Sequence, residues 1–360
     1  MAEPKKRHWL SRLSFGTVSL VASALLVLAY LSVIIDPAKA WFFTLFGLLY
    51  PIVLPITLVL WVWALFRRSS MRGLLTLVLL PSLFFAGRYY RFTQREPERE
   101  ATLKVVSYNV GLFAHGPQGM DRLVLADSIS RYLMAQDADI ICLQEFYLPS
   151  GRPLDYWIVQ HFPGYKAEFY VREGDKGHSG NLTLSRRPVV SRGKMNFENS
   201  SNMALWTDVK LDSSKLRLYN CHFESYNISI PGLIKKDNAM EAVEATEQKM
   251  SRAITERPKQ VSAVLKNVDS APVRSVVLGD FNDTPLSYTY FRLLRGHKDT
   301  FVRAGKGFGA TYSILWPLLR IDYILYPDEL GAVSYEVPRV KYSDHYPIIA
   351  TYYESGRDSQ

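Results

Sequence analysis

Gly279-Asp280-Phe281-Asn282-Asp283, entered from Val276-Val277-Leu278, and Ser343-Asp344-His345-Tyr346-Pro347, just ahead of Ile348-Ile349-Ala350, decide the fold of this chain. In both, an apolar run of buried-strand length meets a knot of carboxylates, amides and imidazole. The same conjunction recurs upstream: Leu103 to Val106 runs into Ser107-Tyr108-Asn109, and Ile140 to Leu143 into Gln144-Glu145. Leu216 to His222 ends in Asn220-Cys221-His222, and Ile321-Asp322-Tyr323 opens another run.

Between the first two strands Leu123, Ile129 and Leu133 recur at helical spacing, which makes a β-α-β unit. Glu168 to Val171, Asn181 to Leu184, Ala204 to Leu211 and Leu216 to His222 follow without a helix, so antiparallel pairing is expected there. A helix is predicted from about Asn238 to Lys266, broken or kinked at Pro258. Mixed pairing of this kind fits an α/β sandwich.

Of the 360 residues, 48% are hydrophobic and 13% aromatic, which excludes a disordered chain. Two cysteines, Cys142 and Cys221, cannot make a disulfide framework, and both read as buried thiols; no Cys/His cluster has zinc-ligand spacing. Uncharged runs at about residues 15–35 and 41–66 are long enough to cross a bilayer, which takes about 20 apolar residues, and 73–87, apolar but short for a span, is read as a third crossing, with a re-entrant or interfacial segment as the alternative. A signal peptide accounts less well for the first run, because the second would remain unexplained. Residues 1–87 are therefore read as a membrane anchor, 88–101 as a linker, 102–354 as the catalytic domain and 355–360 as a tail.

The charge of +9 would favour a polyanionic partner if it were spread over the domain. Residues 1–87, however, hold eight Lys and Arg against two acidic residues, which leaves only +3 for the remainder. Lys5, Lys6, Arg7 and Arg12 before the first run, with Arg67, Arg68 and Arg72 after the second, predict a cytoplasmic N-terminus. Three crossings then deliver the domain outside the cytoplasm; two would keep it inside.

Carboxylates, amides and histidines suit an oxygen-loving Mg²⁺ or Mn²⁺ and the activation of water, and hydrolysis of a phosphate ester is the reaction they serve most naturally. GDFN followed by SDHYP, with the SYN strand end, the QE, the GN-x-x-LSR at Gly180 to Arg186 and the N-x-H, resembles the endonuclease/exonuclease/phosphatase superfamily over about Leu103 to Tyr353. The resemblance implies a four-layer α/β sandwich with two central mixed sheets and the site at one edge. It implies Glu145 as principal metal ligand, Asn109 beside it as ligand or phosphate contact, and Asp344 completing the shell. Asp322 and His345 would form a carboxylate-imidazole pair, Asp280 and Asn282 would handle water and phosphate, and His222 would donate to a phosphate oxygen or the leaving group. Whether Asp280 or His345 is the base stays open.

Asn181 is read as an amide at the site rim, Asp283 as a turn or helix cap, and His115 and His178 as solvated loop residues, His178 possible at the substrate groove. Loops choose the substrate in such folds. A nuclease is the first expectation, from frequency in the family. A phospholipid or sphingomyelin phosphodiesterase is the alternative, favoured by the anchor and by an apolar insertion at Phe223 to Asn238. A catalytically silent binding module is the third. Expected partners are the phosphodiester, as nucleic acid or lipid headgroup, and the bilayer.

Overall fold

A computed structural model describes residues 4–94, 96, 98–117, 120–174, 177–226 and 239–355. The chain opens with a helical hairpin of α1 (Pro4–Leu31) and α2 (Phe43–Phe66), the latter running on through Pro51 and Pro55. Two helices among the described residues, at Ser14–Leu31 and Phe43–Phe66, are long and apolar enough to cross a membrane on length and composition alone. Most of the surface of both faces outward.

The expected third crossing is not a single helix. α3 (Arg72–Leu79) gives out at Leu80-Pro81, where proline lacks the N–H that the next turn needs, and α4 (Ser82–Phe85) and a 3-10 turn at Ala86–Arg88 follow. This broken segment nevertheless runs back along the hairpin. The Trp61 indole donates to Thr76 Oγ1 (2.7 Å), the Tyr30 hydroxyl donates to the Val78 carbonyl (2.9 Å), and the Tyr89 ring lies 5.3 Å from that of Tyr50.

The hairpin meets the rest of the chain at its Ser32–Tyr50 end. Leu286 is fully buried among Leu26, Ala29, Tyr50, Val53 and Val78, and its carbonyl accepts from Ser32 Oγ (2.9 Å). A Cβ on Gly47 would collide with that carbonyl and with Ser32, so glycine is what allows the approach. Part of the stretch expected to be a linker is likewise built in: β1 (Tyr90–Arg91) pairs antiparallel with β11 (Gly307–Phe308).

Two six-stranded sheets form the rest. One has the order β13-β14-β2-β3-β5-β4, from β2 (Leu103–Asn109), β3 (Ile140–Pro149), β4 (Lys166–Gly174), β5 (Gly177–Ser185), β13 (Leu330–Glu336) and β14 (Ile348–Glu354). The other has the order β10-β12-β9-β8-β7-β6, from β6 (Val189–Asn196), β7 (Met203–Lys210), β8 (Lys215–His222), β9 (Arg274–Asp280), β10 (Lys298–Asp299) and β12 (Asp322–Tyr326). β2–β3 and β8–β9 are parallel and the remaining pairs antiparallel, the mixed pairing expected.

Val105, Ile140, Cys142, Leu218, Leu278 and Ala350 pack between the sheets. α5 (Arg122–Met134) and α6 (Leu154–His161) cover the first sheet through Ile129, Leu133, Trp157 and Ile158. α7 (Ala239–Ser270) and α8 (Tyr288–Leu293) cover the second through Val261, Val264, Tyr290 and Leu293. Four layers result, with α9 (Thr300–Ala304) at one end. Both cysteines are free and buried.

Of the break or kink expected at Pro258, the break does not occur: α7 runs on through it to Ser270. A proline inside a helix costs about 3 kcal/mol, but Ala253, Ile254, Val261 and Val264 on either side are buried, and their packing outweighs that cost. Of the apolar insertion, residues 227–238 lie outside the described residues; Phe223 is core.

Candidate active site

Strand register assembles the site. β9 sets Asp280 opposite His222 of parallel β8 and opposite Asp322 of antiparallel β12, so three chemically active side chains share one row. Parallel pairing of β2 with β3 sets Asn109 opposite Gln144, which brings Asn109 and Glu145 to the same edge. The sequence between Ser343 and His345 reaches this edge through Ser343 Oγ, which donates to the Asn109 carbonyl (2.9 Å), and through a β-bridge of His345 with Tyr312.

Two turns here carry strain. Glu145 has φ 51° and sits where the β3–β5 register shifts between Leu143 and Phe146, so a bulge re-aims its carboxylate out of the ladder. Asn282 has φ 52°; its backbone N–H donates to Asp280 Oδ1 (2.9 Å) and its amide donates to the Phe223 carbonyl (2.9 Å). Gly279 has φ 122° and lies so close to the Cys221 carbonyl that a Cβ would not fit.

Asp280 Oδ2 is the focus. It accepts from Asn109 Nδ2 (2.9 Å) and Asn282 Nδ2 (3.3 Å), and it lies 3.7 Å from His222 Nε2 and 3.8 Å from His345 Nε2. Burial, then the charge of Asp322, push the Asp280 carboxyl up to about 6, against the pull of His345 and His222. His345 Nδ1 pairs with Asp322 Oδ2 at 2.9 Å. Burial alone would lower the imidazole, but Asp322 and Asp280 outweigh it and raise it to about 10.

A metal has a place among these groups. One ligand atom each from Glu145, His222 and Asp280 lies within 4.8 Å of the others, and Asp280, Asp322 and His345 form a second such group. His222 Nε2 and Asp322 Oδ1 are buried without hydrogen-bond partners, as expected where a further group belongs. A hard divalent cation prefers the carboxylate oxygens of Glu145 and Asp280, which leaves His222 as a donor.

The other expected site residues are distributed less simply. Asn109 turns its amide nitrogen to Glu145 Oε1 (3.2 Å) and Asp280, while its oxygen accepts from the Gly111 N–H (3.0 Å). As placed it bridges the two carboxylates. Asp344 stands outside both groups, 3.6 Å from His115. His115, expected to be solvated, is 44% exposed in its side chain yet borders the site through that contact. Asn181 is a buried amide that donates to the Met203 and Asn220 carbonyls (3.3 and 3.0 Å) and whose oxygen has no partner. Asp283 is more than a cap: beside accepting from the Thr284 N–H it lies 3.2 Å from the fully buried Arg257, fixing the loop beyond Asn282.

Three supporting features were not assigned from sequence. Gln144 Nε2 donates to Asn220 Oδ1 (2.7 Å), and Asn220 Nδ2 donates to the Leu143 and Leu182 carbonyls (3.1 and 3.0 Å), tying the two sheets beneath the site. Thr311 Oγ1 accepts from the Ile321 and Asp322 N–H groups (both 3.1 Å). The Tyr312 ring lies 5.3 Å from the His345 ring. The position of Gln144 and Asn220 at strand ends was the available signal; Thr311 and Tyr312 lie in a stretch with no helix or strand period.

The fold has many solved counterparts. An endonuclease/exonuclease/phosphatase from Beutenbergia cavernae is 18% identical with TM-score 0.54, covering 71% of this chain and 72% of its own. The human Nocturnin catalytic domain with bound sulfate is 14% identical with TM-score 0.52, covering 73% and 97%. An endonuclease/exonuclease/phosphatase from Bacteroides vulgatus is 19% identical with TM-score 0.51, covering 70% and 98%. At such identities the likeness shows the fold alone. No curated protein matches the chain. Residues 11–89 match a domain of unknown function (DUF8431). Residues 106–345 match the Endonuclease/Exonuclease/phosphatase family, whose members are generally hydrolases of phosphoester bonds and generally use divalent metals, and the chain belongs to that family.

Proposed function

We propose that this protein is a membrane-anchored, divalent-metal-dependent phosphodiesterase. The observation that carries the reading is the convergence of Asn109, Asn282, His222 and His345 on Asp280 Oδ2, next to Glu145. Glu145 and Asp280 would hold Mg²⁺ or Mn²⁺, which when bound neutralises phosphate charge and lowers the pKa of water. Asp280 receives the proton of the attacking water. His345, oriented by Asp322 through Nδ1, presents Nε2 to the charge that gathers on phosphate oxygens, and His222 Nε2 donates from the other side. Asn282 holds Asp280 by its backbone N–H and amide, while Asn109 keeps the Glu145 and Asp280 carboxylates apart.

A lipid headgroup is favoured over nucleic acid by one observation. Of Arg186, Arg187, Arg192 and Lys194, the basic residues that could supply a polyanion surface, Arg186 pairs with Asp137, Arg187 with Asp139 and Asp212 and Arg192 with Glu168, while Lys194 lies over the Tyr170 ring. The catalytic domain is read as extracytoplasmic. In support, it packs at the Ser32–Tyr50 end of the hairpin, opposite the end from which Arg67, Arg68 and Arg72 lead off.

The test is turnover by the full-length protein in detergent on plasmid DNA, RNA and phosphatidylcholine or sphingomyelin vesicles, with Mg²⁺ or Mn²⁺ and with EDTA. Lipid turnover that EDTA abolishes and metal restores is expected. Full activity in EDTA removes the metal, and cleavage of DNA or RNA without lipid turnover returns the protein to the nucleases.

A further inference from the structure

Immediately beyond the anchor the chain lays down a run of exposed apolar side chains. Tyr90, in β1, stacks edge-on against Phe92 (4.9 Å) and against Phe308 of β11 (4.8 Å), and Phe308 in turn meets Trp316 (5.8 Å). Phe92 is 84% exposed, Ile314 57%, Phe308 48%, Leu315 44% and Trp316 40%. Scattered exposed leucines need no account, but a connected group of large apolar side chains does, because each stays in water at a cost of about 25 cal/mol per Å². Nothing else in the described chain covers it.

Its surroundings say what does. On one side the group is continuous with the hairpin: the Gly309 N–H donates to the Tyr89 carbonyl (3.2 Å), and Tyr89 packs on Tyr50 of α2. On the other side it adjoins the site, since the Ser313 N–H and hydroxyl both donate to the Asp344 carbonyl (2.8 Å each) and Tyr312 bridges His345. The Arg339 guanidinium lies 4.8 Å over the Trp316 ring, which gives the aromatic edge a cationic rim. Aromatic rings with an arginine beside them match the boundary between acyl chains and phosphate headgroups, where rings sit at headgroup level and a cation meets phosphate. A soluble partner protein would leave the continuity with the apolar hairpin unexplained.

We propose that Phe92, Phe308, Ile314, Leu315 and Trp316 form a second membrane contact, seated at the headgroup boundary of the bilayer that holds α1 and α2, so that the catalytic cleft opens onto lipid headgroups. This rests on the membrane-anchor reading above and names the surface that delivers the substrate. The contact acts beside the chemistry and needs no group in the cleft.

The experiment uses the full-length protein in nanodiscs of phosphatidylcholine with phosphatidylglycerol. Because Cys142 and Cys221 are buried, a nitroxide can be directed to a new cysteine in Leu315→Cys, in Val59→Cys on the outward face of α2, and in Val159→Cys on α6 as the aqueous control. Collision with oxygen, which concentrates in lipid, is compared with collision with a water-soluble nickel chelate. Labels at 315 and 59 are expected to favour oxygen, and the label at 159 nickel. If the label at 59 favours oxygen while that at 315 matches 159, the second contact is overturned and the anchor stands. Should the label at 59 favour nickel, the anchor reading fails and takes the contact with it. Shielding at 315 from both reagents, with spin–spin broadening, means that a second copy covers the surface and also overturns the proposal.

Discussion

Glu145 shows how far a single residue can be judged against its backbone. A non-glycine residue at φ 51° bears about 1–3 kcal/mol of strain, and this one spends it to aim a carboxylate at Asp280 and His222. Glu145→Gly should therefore relieve backbone strain, leaving thermal stability unchanged or raised, while turnover falls with the lost carboxylate. Asp280→Ala and His345→Ala should each lower turnover by about 10²–10⁴. Circular dichroism melts and steady-state rates on the same samples check both points. Near-wild-type rates in two of the three variants would refute the site, and a clear loss of stability in Glu145→Gly would contradict the strain argument. The residue types were legible from sequence alone, because carboxylate, amide and imidazole at apolar strand ends have few structural uses. The geometry of Asn109 was not: an amide offers oxygen or nitrogen at equal cost, and only the neighbouring Gly111 N–H decides which end faces the carboxylates.

At the scale of elements, the helical hairpin is packed into the framework that carries the candidate site. Leu286, in the loop that leaves Asn282, is a core residue of the hairpin, and Gly47 is where α2 touches it. Gly47→Ala should cost about 1–3 kcal/mol through overpacking against Ser32 and the Leu286 carbonyl. Gly16→Ala in α1, where a Cβ meets nothing within 4 Å, should be neutral or stabilise by about 0.5–1 kcal/mol. Thermal unfolding of both variants in the same detergent checks this; equal melting temperatures would mean that hairpin and catalytic loop are independent. Helix and strand positions were readable where apolar periodicity was strong. Pro258, expected to break or kink α7, does not end it, because the buried residues around it outweigh the cost, whereas Pro81, in a segment with few buried neighbours, ends α3.

For the whole molecule, the proposed anchor raises the question of which side of the membrane the domain faces. Although broken, the segment from Arg72 to Arg88 returns along the hairpin, as the Trp61–Thr76 and Tyr50–Tyr89 contacts indicate. The domain and the Arg67–Arg72 loop are then at opposite ends, and on the proposed anchor reading the positive-inside tendency favours a domain outside the cytoplasm. A reporter fused after Gln360 that is active only outside the cytoplasm is the expected result; activity only inside would reverse the orientation and leave the chemistry untouched.

Sequence by itself determined the family and the mixed α/β architecture and pointed to the chemistry proposed above, because strand periodicity and the order of polar knots are written locally along the chain. It also showed that most of the excess charge belongs to the first 87 residues. Tertiary structure alone decided that Asp280 is the convergence point, that Asp283 is paired with buried Arg257, that Arg186, Arg187 and Arg192 are ion-paired, and that an exposed aromatic surface lies between the apolar hairpin and the candidate site. Those facts depend on pairs of residues far apart in the chain, whose approach is set by strand register and by packing between layers and carries no local periodic signal.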